Sequence, residues 1–173
     1  MCVAELLEVK IIRLIIVLLF CGSSTSWAQS FREELPTSAR VMLDRRFAGW
    51  KFSDVSSEVK QFVKENLRGA SPVLISGDFD GNGRLDYAAL IQQGSRYYLV
   101  IFLRRRADYK MYRVRNPNGE YLIRARKGSR DYNYEEQKEI TYANDAILTG
   151  IFEKGGSSYV FKNGRFVSFV SSD

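Results

Sequence analysis

The sequence contains no histidine, and its only two cysteines, Cys2 and Cys21, lie near its start. Residues 29–173 therefore lack the side chains on which Ser-His and Cys-His nucleophilic catalysis depends. The same absence disfavours zinc and other metals that prefer nitrogen or sulfur ligands, and it excludes a disulfide in this part of the chain. Neither a Gly-x-Ser-x-Gly nor a P-loop motif occurs. A metal site here would rely on oxygen ligands, and a carboxylate pair could still act as acid and base.

Proline is scarce, at three residues, whereas 45% of the 173 residues are hydrophobic and 13% are aromatic. This composition argues against disorder, and the length suits a leader followed by one domain with its own core. No internal repeat is present that would indicate a propeller or solenoid. We expect a signal peptide over residues 1–28 and a single domain over residues 29–173.

The leader has the pattern of a signal peptide. Lys10 and Arg13 precede the apolar run at residues 14–21, and the small residues Ser26 and Ala28 stand third and first before Gln29. The run is shorter than the roughly 20 residues that span a bilayer as a helix. We therefore expect cleavage after Ala28, no transmembrane span in the mature chain, and a periplasmic or secreted protein. An uncleaved anchor is the alternative.

Helical patterns precede strand patterns along the chain. Residues 37–47, after Pro36 and before Gly49, predict a short amphipathic helix. Val55, Val59, Phe62, Val63 and Leu67 recur with helical spacing and predict a second helix. We expect Ser53 or Asp54 to cap the second helix, and Gly69 to end it.

From Val73 onward the pattern is that of strands. Residues 86–93 and 97–103 are apolar on both faces, as central strands covered on both sides are. Asn163-Gly164 predicts a type I′ hairpin, and residues 110–126 predict another hairpin around Asn116–Gly119. We predict an α+β fold, with two N-terminal helices packed on a mainly antiparallel meander sheet of about seven or eight strands.

The most specific motif is DFDGNGRLD, residues 78–86. A calcium loop presents oxygen ligands at alternate positions, which here gives Asp78, Asp80, Asn82, the backbone carbonyl of Arg84, and Asp86. Gly83 stands at the sixth position, where the sharp turn favours glycine. Three neighbouring carboxylates repel one another, and a divalent cation relieves that repulsion. We predict that this loop binds Ca²⁺; the alternative is a polar hairpin turn.

The loop is not an EF-hand, because Ala89 stands where the bidentate glutamate belongs and strand-like segments flank it. Residues 76–90, SGDFDGNGRLDYAAL, resemble the calcium loop of FG-GAP and VCBS-type repeats. The resemblance implies side-chain ligation by Asp78, Asp80, Asn82 and Asp86, with the last aspartate replacing the missing glutamate, and a carbonyl ligand at Arg84. It extends to the loop only, since a propeller needs several blades.

The sequence also has a basic character, with 26 Lys and Arg against 20 Asp and Glu and a formal net charge of +6. In the hairpin predicted over residues 110–126, alternation places Arg113, Arg115, Arg124 and Arg126 on one face. This face could bind a polyanion such as nucleic acid, anionic lipid or an envelope glycan. The simpler interpretation is a solvated face on which Arg115 pairs with Glu120.

Together these patterns predict an exported calcium-binding domain of a binding or interaction protein, in an envelope or extracellular setting, with structural rather than catalytic calcium. The alternative is a carboxylate-dependent hydrolase acting on envelope polysaccharide. Such an enzyme would take its acid and base from the acidic segment 131–139, which contains Asp131, Glu135, Glu136 and Glu139.

Overall fold

The computed structural model describes residues 31, 32, 34–67, 70–115, 117, 119–152 and 154–171. The predicted signal peptide and its cleavage site lie outside these residues, as does Gly69. No helix within the described ranges is long and apolar enough to cross a membrane.

Two helices of ten residues each come first, α1 (Thr37–Arg46) and α2 (Ser57–Asn66). Gly49 follows α1 with a φ of 72°, as expected of a glycine after a helix. The predicted cap of α2 is wrong: the side chain of Ser56 accepts the N–H of Val59 at 3.3 Å. The helix begins later than expected because the N–H of Ser53 donates to Leu90 O and keeps that segment extended.

Twelve strands lie within the described ranges. They are β1 (Lys51–Phe52), β2 (Ala70–Ser71), β3 (Leu74–Gly77), β4 (Asp86–Gln93), β5 (Arg96–Arg104), β6 (Tyr109–Arg115), β7 (Tyr121–Ala125), β8 (Arg130–Asn133), β9 (Lys138–Thr141), β10 (Ala146–Ile151), β11 (Gly155–Lys162) and β12 (Arg165–Ser171). All their pairings are antiparallel.

The strands form two sheets, so the α+β class is confirmed but the single meander of seven or eight strands is wrong. In the five-stranded sheet, β4 pairs with β1 and β3 along one side and with β5 along the other, and β6 pairs with β5. The order of the seven-stranded sheet is β2-β7-β10-β11-β12-β8-β9.

The chain changes sheets between β6 and β7, and the hairpin predicted over residues 110–126 does not form. β6 pairs with β5, whereas β7 pairs with β10 and β2. The N–H of Glu120 donates to Gly150 O, and its carboxylate accepts the N–H of Phe152. These two hydrogen bonds hold Glu120 beside the end of β10, and β7, which follows Glu120, pairs with β10.

The central strands β4 and β5 are buried on both faces, as their sequences predict. One face of β5 presents Leu99 and Ile101 to Leu122 and Ile147 of the other sheet, all 0% exposed. The opposite face presents Val100 and Phe102 to Leu43 and Phe47 at and after α1. The two sheets therefore pack face to face, with α1 outside the five-stranded sheet.

The outer face of the seven-stranded sheet is covered in two places. Val59 and Val63 of α2 pack with Tyr121 of β7. Tyr142, which follows β9, packs with Ala146 and Phe169. Both faces of the seven-stranded sheet therefore carry buried side chains.

The turn predicted at Asn163-Gly164 is confirmed. Both residues have positive φ, 52° and 80°, and they connect β11 to β12, whose last paired residues are Lys162 and Arg165. Positive φ at both central positions is what a type I′ turn requires.

Side chains between the two sheets should contribute more to the free energy of unfolding than exposed side chains of β12. Leu99→Ala should lower the free energy of unfolding by about 2 to 5 kcal/mol, because it leaves a cavity between the sheets. Val170→Ala, at a residue 49% exposed, should cost less than about 1 kcal/mol. Denaturant unfolding measures both, and equal losses would contradict this assignment of the core.

Candidate metal centre

The acidic loop joins β3 to β4 at one end of their hairpin, where Gly77 and Asp86 are the last paired residues. Phe79 is 0% exposed and packs between the two sheets, which anchors the loop from within. Gly81 and Gly83 have φ values of 74° and 75°, in the region that favours glycine. The glycine predicted at the sharp turn is therefore in the conformation that the turn needs.

Three carboxylates converge in this loop. One oxygen from each of Asp78, Asp80 and Asp86 lies within 4.8 Å of the other two. These are three of the five predicted ligands, and the structure brings them together.

Asp86 is fully buried and is the most constrained of the three. Its Oδ2 accepts the N–H of Phe79 at 2.9 Å, and its Oδ1 accepts the N–H of Arg104 at 2.6 Å. Burial raises the pKa of Asp86 to about 6, and the nearby charge of Asp80 adds to the increase, while these hydrogen bonds oppose it. Holding Asp86 ionised here is therefore costly without a nearby positive charge.

Asp80 has such a charge beside it. Its side chain is only 2% exposed, and its Oδ2 lies 2.8 Å from Nη1 of Arg105. Arg105 comes from the turn between β5 and β6 and is itself 44% exposed. One guanidinium thus balances one of the three carboxylates.

Asp78 is less well satisfied. Its Oδ2 accepts the N–H of Gly83 at 2.9 Å. Its Oδ1 is buried and accepts no hydrogen bond from the described part of the chain. A buried acceptor without a partner costs about 1 to 3 kcal/mol, and more if it is charged. A bound cation is one of the few things that explain such an atom.

The two remaining predicted ligands lie on the exposed side of the loop. Asn82 Oδ1 accepts the N–H of Arg84 at 2.9 Å, and Asn82 Nδ2 donates to Arg104 O at 3.1 Å. The amide of Asn82 thus connects the loop to the end of β5. Ligation by Asn82 and by the carbonyl of Arg84 stays a prediction.

A fourth aspartate, which the sequence patterns did not single out, holds the loop from the other sheet. Asp145 Oδ2 accepts the N–H of Asp78 at 3.1 Å, and Asp145 Oδ1 accepts the N–H of Lys127 at 2.9 Å. The N–H of Asp145 donates in return to Asp78 O at 3.2 Å. The neighbouring Asn144 also packs closely against the loop, since a Cβ on Gly81 would lie only 2.3 Å from Asn144 Oδ1.

The donor set fits a hard divalent cation. The converging atoms are carboxylate oxygens, which calcium and magnesium prefer. The three aspartates carry a formal charge of −3, of which a divalent cation would offset two units.

The predicted basic face is not assembled as expected. Because β6 and β7 lie in different sheets, strand pairing does not place Arg113, Arg115, Arg124 and Arg126 together. The Arg113 guanidinium lies 5.8 Å from the centroid of the Tyr98 ring, and Arg124 donates to Ser76 O at 3.1 Å. Polyanion binding by these residues stays a prediction, without the shared hairpin face on which it was based.

The acids of the hydrolase hypothesis are divided between two environments. Glu135 and Glu136 line a groove of about 390 Å³ between the β8–β9 hairpin and β11–β12. Asp131 does not line that groove; its Oδ2 accepts hydrogen bonds from the buried hydroxyls of Tyr142 and Ser158. Glu136 pairs with Lys138, and both are exposed.

The bonds of Asp145 predict that it stabilises the loop. Asp145→Ala removes the acceptor of two backbone N–H groups and should lower the free energy of unfolding by about 1 to 3 kcal/mol. Asp145→Asn keeps one acceptor and should cost less. Asp54→Ala is the control, because Asp54 is exposed and pairs only with Lys51 among the described residues; it should cost less than about 1 kcal/mol. Denaturant unfolding of the three variants measures this order, and equal costs at Asp145 and Asp54 would contradict it.

We compared the chain with models of protein families, with curated proteins and with solved structures, and none of the three comparisons gave a significant match. The FG-GAP and VCBS resemblance therefore depends on the loop residues alone.

Proposed function

We propose that this protein is an exported calcium-binding domain in which calcium is structural and the domain serves binding rather than catalysis. The observation that carries the proposal is Asp78 Oδ1, a buried carboxylate oxygen with no hydrogen bond from the described residues, beside two further buried carboxylates. Export is proposed on the signal-peptide pattern of residues 1–28.

Burial favours a cation site over a polar turn. Acidic residues in an ordinary hairpin turn are exposed, where water screens their charge. Here the side chain of Asp80 is 2% exposed and Asp86 is 0% exposed. Carboxylates so buried need compensating charge, and Arg105 supplies only part of it.

The position of the site supports a structural role. Asp86 is the first residue of β4, and it already accepts the N–H of Arg104 at the end of β5. Asp78 follows β3 and exchanges hydrogen bonds with Asp145, next to β10. A cation held by Asp78, Asp80 and Asp86 would tie β3, β4 and β5 together at one end of the sandwich.

The hydrolase alternative has less support. A glycosidase needs two available carboxyl groups about 5 to 10 Å apart on either side of its substrate. Asp131 is engaged by two hydroxyl groups and lies outside the groove that contains Glu135 and Glu136. The hydrogen bond and ion pair with Lys138 also lower the pKa of Glu136. A general acid must instead hold its proton until the reaction, which needs a raised pKa.

Asp78→Asn tests the proposal while preserving the size of the side chain. Extracellular calcium modules have dissociation constants of about 0.1 to 1 mM. At about 1 mM, calcium should therefore stabilise the wild type by about 0.4 to 1.4 kcal/mol. Asp78→Asn should lower calcium affinity at least about tenfold. It should not reduce stability in chelator, because it removes repulsion among the three carboxylates.

The control is Asp54→Asn, at an exposed aspartate outside the loop, which should keep the calcium response. Calorimetric titration and melting curves with calcium, magnesium and chelator give both quantities. If the wild type binds no calcium at millimolar concentrations, the loop is a polar turn. If Asp54→Asn and Asp78→Asn reduce calcium binding equally, the site lies elsewhere.

A further inference from the structure

Beside the acidic loop lies an open groove of about 540 Å³ with the opposite charge. Four arginines line it: Arg84 from the loop, and Arg104, Arg105 and Arg106 from the end of β5 and the turn that follows. Asp108 is the only acidic residue in its lining. We call these four residues the arginine groove.

The backbone that carries the arginine groove is fixed by the acidic loop. Arg104 donates its N–H to Asp86 Oδ1 and accepts from Asn82 Nδ2 on its carbonyl oxygen. The turn is closed by a hydrogen bond of 2.7 Å from the N–H of Arg105 to Asp108 O. The groove and the proposed calcium site therefore share the backbone at Arg104 and the turn after it.

The four side chains differ in how far they are already engaged. The Arg104 guanidinium lies 4.9 Å from the centroid of the Tyr109 ring, and Arg105 pairs with Asp80. The exposed side chains of Arg84 and Arg106 make no hydrogen bond or ion pair with other described residues. At least two guanidinium groups thus keep their donors for a ligand.

We propose that the arginine groove binds a phosphate group. A guanidinium presents paired N–H donors in one plane and binds phosphate oxygens two at a time. Two arginines in one lining whose guanidiniums have no described partner, Arg84 and Arg106, suit a compact group with close to two negative charges and three acceptor oxygens, which a phosphate monoester supplies. A single carboxylate would leave most of these donors unused.

The ion pair between Arg105 and Asp80 would connect phosphate binding to calcium binding. This connection rests on the calcium site proposed above. The phosphate site itself does not. A cation held by Asp80 would repel the guanidinium of Arg105 and compete for the same carboxylate. Arg105, once released, would add a third available guanidinium to the groove. Calcium should therefore strengthen phosphate binding, and phosphate should strengthen calcium binding by the same factor.

The probe is glycerol phosphate, whose calcium salt is soluble, with glycerol as the neutral control, titrated calorimetrically into the purified protein. In chelator, Arg84→Gln and Arg106→Gln should each weaken glycerol phosphate binding about threefold to tenfold. The matched control is Arg96→Gln, an exposed arginine at the opposite end of the β4–β5 hairpin, which should leave the affinity unchanged. Calcium should then raise the wild-type affinity severalfold, and Arg105→Gln should abolish that increase.

Vesicles containing phosphatidic acid, sedimented with the protein in chelator, distinguish a lipid-borne phosphate from a free one; phosphatidylcholine vesicles are the control. Binding to these vesicles alone would assign the groove to a lipid headgroup. No binding to either phosphate probe, or equal loss in Arg96→Gln, would overturn the proposal. If the protein binds phosphate in chelator but does not bind calcium, the calcium site fails and the phosphate site stands. If the protein binds calcium but no phosphate, the phosphate site fails and the calcium site stands.

Discussion

The corner of the structure at residues 78–86 depends on three carboxylates that converge on one point, with Asp86 fully buried and the side chain of Asp80 only 2% exposed. Mutual repulsion and loss of hydration both oppose such an arrangement. The backbone N–H groups of Phe79, Gly83 and Arg104 donate hydrogen bonds to these carboxylates, and the guanidinium of Arg105 pairs with one of them. These donors leave Asp78 Oδ1 without a partner among the described residues. A divalent cation would offset two of the three negative charges and would coordinate Asp78 Oδ1.

This corner is also where distant parts of the chain meet. Asp145 binds the loop from the seven-stranded sheet, and Phe79 fills the space between the sheets. Arg104 and Arg105 bring the end of β5 to the same place. A cation here would therefore act on the alignment of β3, β4 and β5, and on the arginine turn that continues from β5. Cation binding at this corner would be coupled to the structure, because the carboxylates that would hold the cation also accept the hydrogen bonds that fix the loop.

Local patterns in the sequence predicted the features that local chemistry decides. The two apolar faces of β4 and β5, the positive φ at Asn163 and Gly164, and the glycine turn of the acidic loop all follow from neighbouring residues. The division into two sheets did not follow, because alternation shows which face a residue occupies and not which strand lies beside it. The contacts of Asp145 with Asp78 and of Arg105 with Asp80 were not predicted for a related reason. Both contacts join residues far apart in the chain, and the neighbouring residues carry no sign of them. The cap of α2 shifted because Ser53 bonds to β4.

The most direct test of the calcium site is a crystal structure determined from crystals grown with millimolar calcium. We expect one ion with oxygens of Asp78, Asp80 and Asp86 at about 2.3 to 2.6 Å. We also expect Arg105 to have left Asp80. A structure in which Arg105 still pairs with Asp80, and in which no ion lies beside Asp78 Oδ1 under these conditions, would contradict the proposed calcium site.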